Sequence, residues 1–545
     1  MLINAIYLLT SFRQKYCSVK QTNIRHVSGR KSKPATATAT FEFSQIWLIV
    51  LEALMENTST FAKYTDKAFY AAILLLALAA PLSIAATQIA WALAILFWLI
   101  RSFWIRPAFR QDAMSIAVLA FVGLTLVSSF FSYEPQVSLR KMVGVSLVSL
   151  VYLVAAAIKD MRSMRRVVAV LLVSAAVTGA YAIAVTALGR NLKVRQLAPE
   201  SALRAADVQE NDTIISANGV KVNSPDELAA AVDSASKDGI AKLRVYRYEV
   251  FFDYDLRVQL SGTYADSSAR FGIVDWSRGR DVRASGFYGH YTTYAEVVQL
   301  IGSLALGLLL LVPGSLFARN RLLLGLILVL LSVGLLLTVT RASWIGFAVS
   351  AAVIVFAGAS RKVVLICILC AIPVGAAGLY YLQQKRNVAM VDTRDGSTTW
   401  RMTVWREGVG VLFSSPRHLA VGIGMDSIKT HWRDWQMFDN GNLPMGHMHS
   451  TPLAFAFERG IPTLVVWIVW MFLYLRMLWR GIRRSDLAWF ERGTLLGCLG
   501  GTAGFLTGGL VHYNWGDSEV VMIFYILMGL SLTVTRVDRD ASTEA

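Results

Sequence analysis

Charge is scarce in this chain. Of its 545 residues only 16% are Asp, Glu, Lys or Arg, against 55% hydrophobic residues and a mean hydropathy of +0.50. That balance excludes an ordinary soluble protein of several domains and fits a polytopic membrane protein. Cysteine is scarcer still: four residues, at 17, 367, 370 and 498, make no disulfide framework. Cys367-Ile-Leu-Cys370 lies inside an apolar run rather than near a βαβ pattern, so the pair reads as membrane packing. No small-residue cleavage site follows the apolar piece Met1 to Phe12, so no cleavable signal peptide is evident. No span contains His-Glu-x-x-His, which argues against a metalloprotease. No Asp-x-Asp or clustered His/carboxylate set has convincing metal-ligand spacing, so no metal or cofactor is expected. Charges gather at one face rather than near mid-membrane, which disfavours a polyprenyl-lipid, glycolipid or ion transporter.

What the chain does have is apolar helix-length runs. The 33 residues 68–100 carry no charge; at about 1.5 Å per residue they are too long for one upright span, and Pro81 near their middle predicts two short helices that turn back. Further spans are expected near 113–131, 142–158, 167–189, 294–313, 322–340, 342–359, 363–381, 452–475, 493–511 and 519–535, twelve in all. The basic groups Arg101 to Arg110, Lys159 to Arg166, Arg319/Arg321, Arg361/Lys362, Arg476 to Arg492 and Arg536/Arg539 share one side, which the positive-inside rule makes cytoplasmic. Most of the net charge of +17 is therefore topological, so no nucleic-acid partner is expected. Both termini fall inside, and the hydrophilic segments 190–293 and 382–451 face outward. The expected division is an extension at 1–54, with the true start expected at Met55; helices over 55–190; an insertion at 191–262; an outer loop and helices over 263–381; a loop at 382–451; and helices and tail over 452–545.

The insertion changes character. Asp212-Thr-Ile-Ile-Ser-Ala-Asn-Gly-Val-Lys-Val predicts a hairpin turning at Asn218-Gly219. Ser224-Pro225 opens a capped helix, and Lys242-Leu-Arg-Val-Tyr-Arg alternates as a strand. Over about 65 residues it resembles a PDZ domain of the bacterial envelope type, but Ala206-Asp-Val-Gln-Glu-Asn-Asp212 stands where such domains have Ala-Gly-Leu-x-x-Gly-Asp. Two readings stay open: a peptide or protein partner taken by β-augmentation, or a folded insertion that packs on the outer face.

Outward arginines need a reason. Arg280 and Arg283 precede a span, Arg341 stands between two spans with no loop to carry it into water, and Arg401 opens Arg401-Met-Thr-Val-Trp405. Guanidinium groups suit phosphate oxygens, and the bland alternative is pairing with Asp275, Asp281, Asp392, Asp395 or Glu407. His449, at the mouth of an apolar helix opened by Pro452, carries an imidazole able to act as a general base or merely to cap the helix. The ordered series Arg341-Ala-Ser-Trp-Ile-Gly-Phe, Arg401-x-x-x-Trp405, Pro416-Arg-His-Leu-Ala-Val-Gly422-Ile-Gly424 and His449-Ser-x-x-Leu453-x-x-x-x-Glu458-x-Gly460 resembles the O-antigen ligase and polymerase superfamily across most of 68–535. Ser450 stands where that family commonly has Asn. The resemblance implies an α-helical, GT-C-like fold and a metal-independent glycosyltransferase. On the periplasmic side of the bacterial inner membrane it would take a glycan from undecaprenyl diphosphate to lipid A-core or another glycan acceptor among membrane lipids. It implies His449 as the acceptor-activating base, Arg341 as a diphosphate contact, and Arg283 more loosely so; Arg401 and Arg280 join the diphosphate set as outward arginines. His447 reads as a loop residue. A polymerase of the same superfamily and a protein O-oligosaccharyltransferase stay open as alternatives.

Overall fold

Proline cannot sit in a helix interior without breaking it, and Pro81 interrupts 68–100 in the way the sequence predicts. The computed structural model describes residues 61–544 except 105–111, 236–239, 248–249, 258–263 and 281, and 363–395 only in part. The expected extension 1–54, Arg106, Arg110, Asp281, Asp392, Asp395 and most of the span at 363–381 lie outside the described residues. The chain divides into units Met1–Tyr64 and Thr65–Ala545; the described part of the first is the helical stretch 61–64, and the second holds the bundle and the sheet. Its helix α1, 65–79, and α2, Ile84–Trp104, flank the break at Pro81. They do turn back: Arg101 near the end of α2 lies 2.7 Å from Asp66 at the start of α1.

Helices α3 (Ala113–Phe130), α4 (Pro135–Ala157, with a 3-10 turn at Ser146–Val148) and α5 (Met161–Leu188) come next. Asp112 and Asp160 cap α3 and α5 by accepting from the Ser115 and Ser163 backbone N–H groups, satisfying donors that helix starts leave open. The insertion folds around its own apolar cluster, with Leu192, Ile214, Val232, Leu243 and Phe271 buried. Strands β1 (Arg190–Leu197), β2 (Thr213–Ala217), β3 (Val220–Lys221), β4 (Ile240–Arg247), β5 (Val250–Arg257) and β6 (Ile273–Gly279) form one sheet in the order β5-β4-β2-β1-β6, with β3 on β2. Helices α6 (Ala202–Ala205), α7 (Pro225–Ala235) and α8 (Ser267–Phe271) accompany it. Asn218 and Gly219, both at positive φ, make the expected turn, and the Ser224 hydroxyl accepts from the Glu227 N–H. The sheet extends past the expected boundary at 262. Strand β6 pairs along β1 from Arg190 to Leu197, so the folded unit closes at Gly279; a strand that returns after so long a gap carries no local signal of its partner.

Beyond the sheet come α9 (Tyr291–Leu311), α10 (Arg319–Leu337), α11 (Arg341–Gly358), α12 (Gly396–Phe413), and the short α13 (Pro416–Val421), α14 (Ile428–His431) and α15 (Thr451–Arg459); α16 (Ile461–Ile482), α17 (Trp489–Gly509) and α18 (Ser518–Glu544) complete the chain. Nine described helices, α2 to α5, α9 to α11, α16 and α18, are long and apolar enough to cross a membrane. The protein is thus a mostly helical, multi-pass membrane protein. The span expected at 493–511 coincides with α17, which is not among those nine; seven of its residues are glycine. The run 452–475 is not one helix: Gly460, at φ +83, separates the buried α15 from α16.

Glycine also sets the closest packing. A Cβ on Gly307 of α9 would fall 2.4 Å from the Gly497 nitrogen of α17, and one on Gly504 would fall 2.3 Å from the Gly346 oxygen of α11. Small residues let helices approach this closely where lipid leaves little hydrophobic drive between them. Helix α18 fixes the two ends of the bundle. It starts beside Asp517, and Arg536, further along it, donates to the Ile158 carbonyl at 2.6 Å, next to Lys159, which pairs with Asp66; Arg165 pairs with Glu491 at 3.8 Å. Arg101, Lys159, Arg165 and Arg536 therefore gather at the end of α18 opposite Asp517.

Candidate active site

The helix α15 is amphipathic and short, and its surroundings are built by backbone crossings that only glycine permits. Ile423 N–H donates to the Phe457 carbonyl (2.9 Å) and Gly424 N–H to the Glu458 carbonyl (2.8 Å). Gly422 and Gly424 sit at φ +70 and +96, and a Cβ on Gly422 would lie 2.4 Å from the Glu458 carbonyl carbon. The glycines of the Pro416 to Gly424 segment and Gly460 thus hold α15 against the chain that crosses it.

The loop before α15 is held by α12. Trp405 Nε1 donates to the Met448 carbonyl at 2.6 Å, Trp400 Nε1 to the Pro444 carbonyl at 3.0 Å, and Glu407 accepts from the Phe438 and Asp439 N–H groups at 2.7 and 3.0 Å. Trp405 and Glu407 are therefore loop clamps. What they present is His449, edge-on to the Trp400 ring at 5.0 Å between centroids and at φ +46. A non-glycine residue there costs about 1–3 kcal/mol. Pro452 lies in the first turn of α15, as expected.

His449 does not stand alone. Its ring is 4.1 Å from that of His447 and 5.8 Å from that of His512, and His447 and His512 are 6.3 Å apart. Thr451 brings His512 there: its Oγ1 donates to the His512 carbonyl (3.3 Å) and meets Asn514 Oδ1 at 2.8 Å. His512 Nδ1 is 2.9 Å from Glu296 Oε1 of α9. One nitrogen from each of His447, His449 and His512 falls within 4.8 Å of the others. The expectation that no clustered histidines occur is corrected by the fold, because the third imidazole arrives from the far side of α16 and α17, where no local spacing announces it.

Electrostatics separate the three. Burial pushes the His449 imidazole down to about 2, helped by His447, His512, Arg401 and His290; burial, then His512 and Lys429, pushes His447 down to about 4. For His512 burial also opposes the charge, but Glu296 overrides it and raises the value. At neutral pH His449 and His447 are neutral and keep free lone pairs. The Nδ1 of His449 is buried with no hydrogen-bond partner among the described residues.

These groups wall a cavity of about 680 Å³, together with Lys141, Lys429, Arg459, Asp426, Asp517 and Glu519. Lys141 and Lys429 both pair with Asp426, at 2.8 and 3.1 Å; burial raises the Asp426 carboxyl, and the two lysines more than offset it. Arg459 is 6% exposed and donates from Nη2 to the Tyr513 hydroxyl at 3.2 Å. Its Nε and Nη1 have no hydrogen-bond partner among the described residues, and its guanidinium lies 4.6 Å over the Phe455 ring.

None of the four expected arginines lines this cavity. Arg280 and Arg283 line a separate crevice between α5 and the sheet, with Tyr181 and Arg190. Arg283 is buried, lies 4.3 Å over the Tyr291 ring and helps to lower His290, which burial lowers first. Arg341 is half-buried at the start of α11, and the backbone pair Ala284 N–H to Leu337 carbonyl, 3.0 Å, draws its segment to that of Arg283. Arg401 donates to Ser397 Oγ at 2.6 Å and acts on His449 and His512. Sequence reasoning missed Lys141 and Lys429, although the expected topology puts both on the side of the arginines it singled out.

Residues 326–468 match the family model described as O-Antigen ligase. The matched stretch includes Arg341, Arg401, the crossing glycines, and His449 with α15, and it ends before His512. No curated protein matches the chain.

Proposed function

We propose, from the match of residues 326–468 to the O-antigen ligase family, that this protein is a glycosyltransferase at the periplasmic face of the bacterial inner membrane, moving a glycan from undecaprenyl diphosphate to lipid A-core without a metal. The observation that carries the reading is the strained, neutral imidazole of His449 at the wall of a large cavity whose lining includes Lys141, Lys429 and Arg459.

The acceptor hydroxyl oxygen attacks the anomeric carbon of the lipid-linked sugar. The new glycosidic C–O bond forms as the bond from that carbon to the diphosphate breaks, the electron pair leaves with undecaprenyl diphosphate, and the hydroxyl proton passes to His449. The leaving group is already anionic, so it needs neutralisation more than a proton. Lys141, Lys429 and Arg459 supply that charge at the wall; Arg401 and Arg283 lie outside the wall and add to its positive field. An imidazole pushed down so far is by itself a weak base. Bound diphosphate brings the opposite charge next to it and raises its basicity when the donor is present.

His449→Ala, expressed in cells lacking their own ligase, is expected to lose ladder-length glycan on lipid A-core, with transfer down by about 10²–10⁴-fold. A retained ladder removes the base assignment. Purified enzyme offered lipid A-core or a second lipid-linked glycan separates ligase from polymerase: transfer only to the second would make the protein a polymerase.

A further inference from the structure

Three imidazoles converge in the cavity wall with the Glu296 carboxylate behind one of them, more than general-base catalysis by a single histidine uses. His447, His449 and His512 each offer a nitrogen within 4.8 Å of the others, on two loops pinned by Trp405 to Met448 and by Thr451 to His512. Zinc-class ions take nitrogens at about 2.0–2.1 Å, and a site with three protein ligands keeps its fourth position open to water or substrate; here the cavity supplies that position. The His512 Nδ1 is engaged by Glu296 at 2.9 Å, which leaves Nε2 as the nitrogen for a metal, as carboxylates behind metal-bound histidines do. The buried His449 Nδ1 has no partner among the described residues. Glu296 and Asp517, near His512, offset part of the repulsion that Arg401 and Lys429 exert on a dication.

We propose that His447, His449 and His512 form a binding site for a divalent transition-metal ion of the zinc class, and that the bound ion blocks glycan transfer by occupying the His449 lone pair. A lone pair bonded to a metal cannot receive the acceptor proton. The blocking half rests on the reading of His449 as base; the binding half does not.

The test uses purified full-length protein in detergent, stripped with chelator and titrated with Co²⁺ while visible absorption is followed. One tetrahedral Co²⁺ per chain, displaced by Zn²⁺, is expected, with the spectrum lost in His447→Gln and in His512→Gln. Glu296→Gln is expected to weaken binding by about 10–100-fold, and stoichiometric Zn²⁺ is expected to stop transfer until chelator restores it. Absence of a stoichiometric Co²⁺ spectrum, or a spectrum unchanged in both histidine variants, overturns the site. Binding that leaves transfer untouched or raises it overturns the block. If His449→Ala transfers glycan normally in chelator, the base reading fails while the Co²⁺ titration still decides the site.

Discussion

At the scale of single residues, the cavity holds a carboxyl whose protonation belongs to the working pH range. Asp517 accepts a hydrogen bond from Thr293 Oγ1 at 2.5 Å, but burial first, and then the neighbouring Glu519, push its carboxyl up to about 7. Glu519, Glu296, His512 and Tyr288 are the titratable groups that feel it. The folded state therefore binds a proton that the unfolded chain, near pH 4, has already lost. Stability from this group is complete below about pH 4 and falls as pH rises through about 7. Wild-type protein in detergent is expected to lose melting temperature between pH 5 and 8, and Asp517→Asn, fixed in the neutral form, is expected to lose less, by on the order of 1 kcal/mol at pH 8. Parallel curves for the two proteins would mean that Asp517 is ionised throughout. Nothing in the sequence around Asn514-Trp-Gly-Asp517 announces this, because the shift comes from α9 and α18 meeting over it. The place of His449 just before a helix, by contrast, was legible, since Pro452 stands in the first turn of α15. His512 was not, because its partner Glu296 lies in a different helix and its neighbours His447 and His449 reach it only through the fold.

Among elements, α17 shows how glycine holds helices together at close range. Its glycines replace lipid-facing apolar surface with contact: a Cβ at Gly497 would lie 2.6 Å from the Leu304 Cα of α9, and backbone cannot rotate aside. Gly497→Ala is expected to destabilise the protein by about 1–3 kcal/mol, read as a lower melting temperature and less folded protein recovered from membranes. Gly123→Ala is the matched control, since nothing lies within 4 Å of its Cβ on the exposed side of α3; it is expected to be neutral or mildly stabilising. Equal losses in both would refute tight α9 to α17 packing. The same physics sets what the sequence could tell. Breaks driven by local chemistry, such as Pro81, the Asn218-Gly219 turn and the Ser224 cap, were readable from residues in place. The division of 452–475 at Gly460 was not, because that glycine is demanded by the Ala420 carbonyl, 2.5 Å from where its Cβ would be. Strand β6 was missed for a like reason, since only pairing with β1 makes Ile273–Gly279 a strand.

For the whole molecule, the two ends of the bundle differ in charge, and that difference sets which side each faces. The fold collects Arg101, Lys159, Arg165 and Arg536 at one end, by their contacts with Asp66, Glu491 and the Ile158 carbonyl. The cavity lies toward the other end of α18, beside Asp517. Positive charge in short loops is retained on the cytoplasmic side, so the proposed orientation puts the basic end inside and the cavity outside, where a lipid-linked donor would meet its acceptor. The sheet obeys the same logic: α5 begins beside Arg162, Arg165 and Arg166 and ends at Leu188, directly before β1. Lys221 of β3 is exposed on that sheet, and Arg483 comes after α16 at the basic end. In a background with the native cysteines replaced, Lys221→Cys is expected to react with a membrane-impermeant maleimide in spheroplasts, and Arg483→Cys only after the membrane is opened. The reverse pattern would place the cavity in the cytoplasm and remove the periplasmic donor from the proposed reaction, while leaving the geometry of the three histidines, and the metal titration that tests it, untouched.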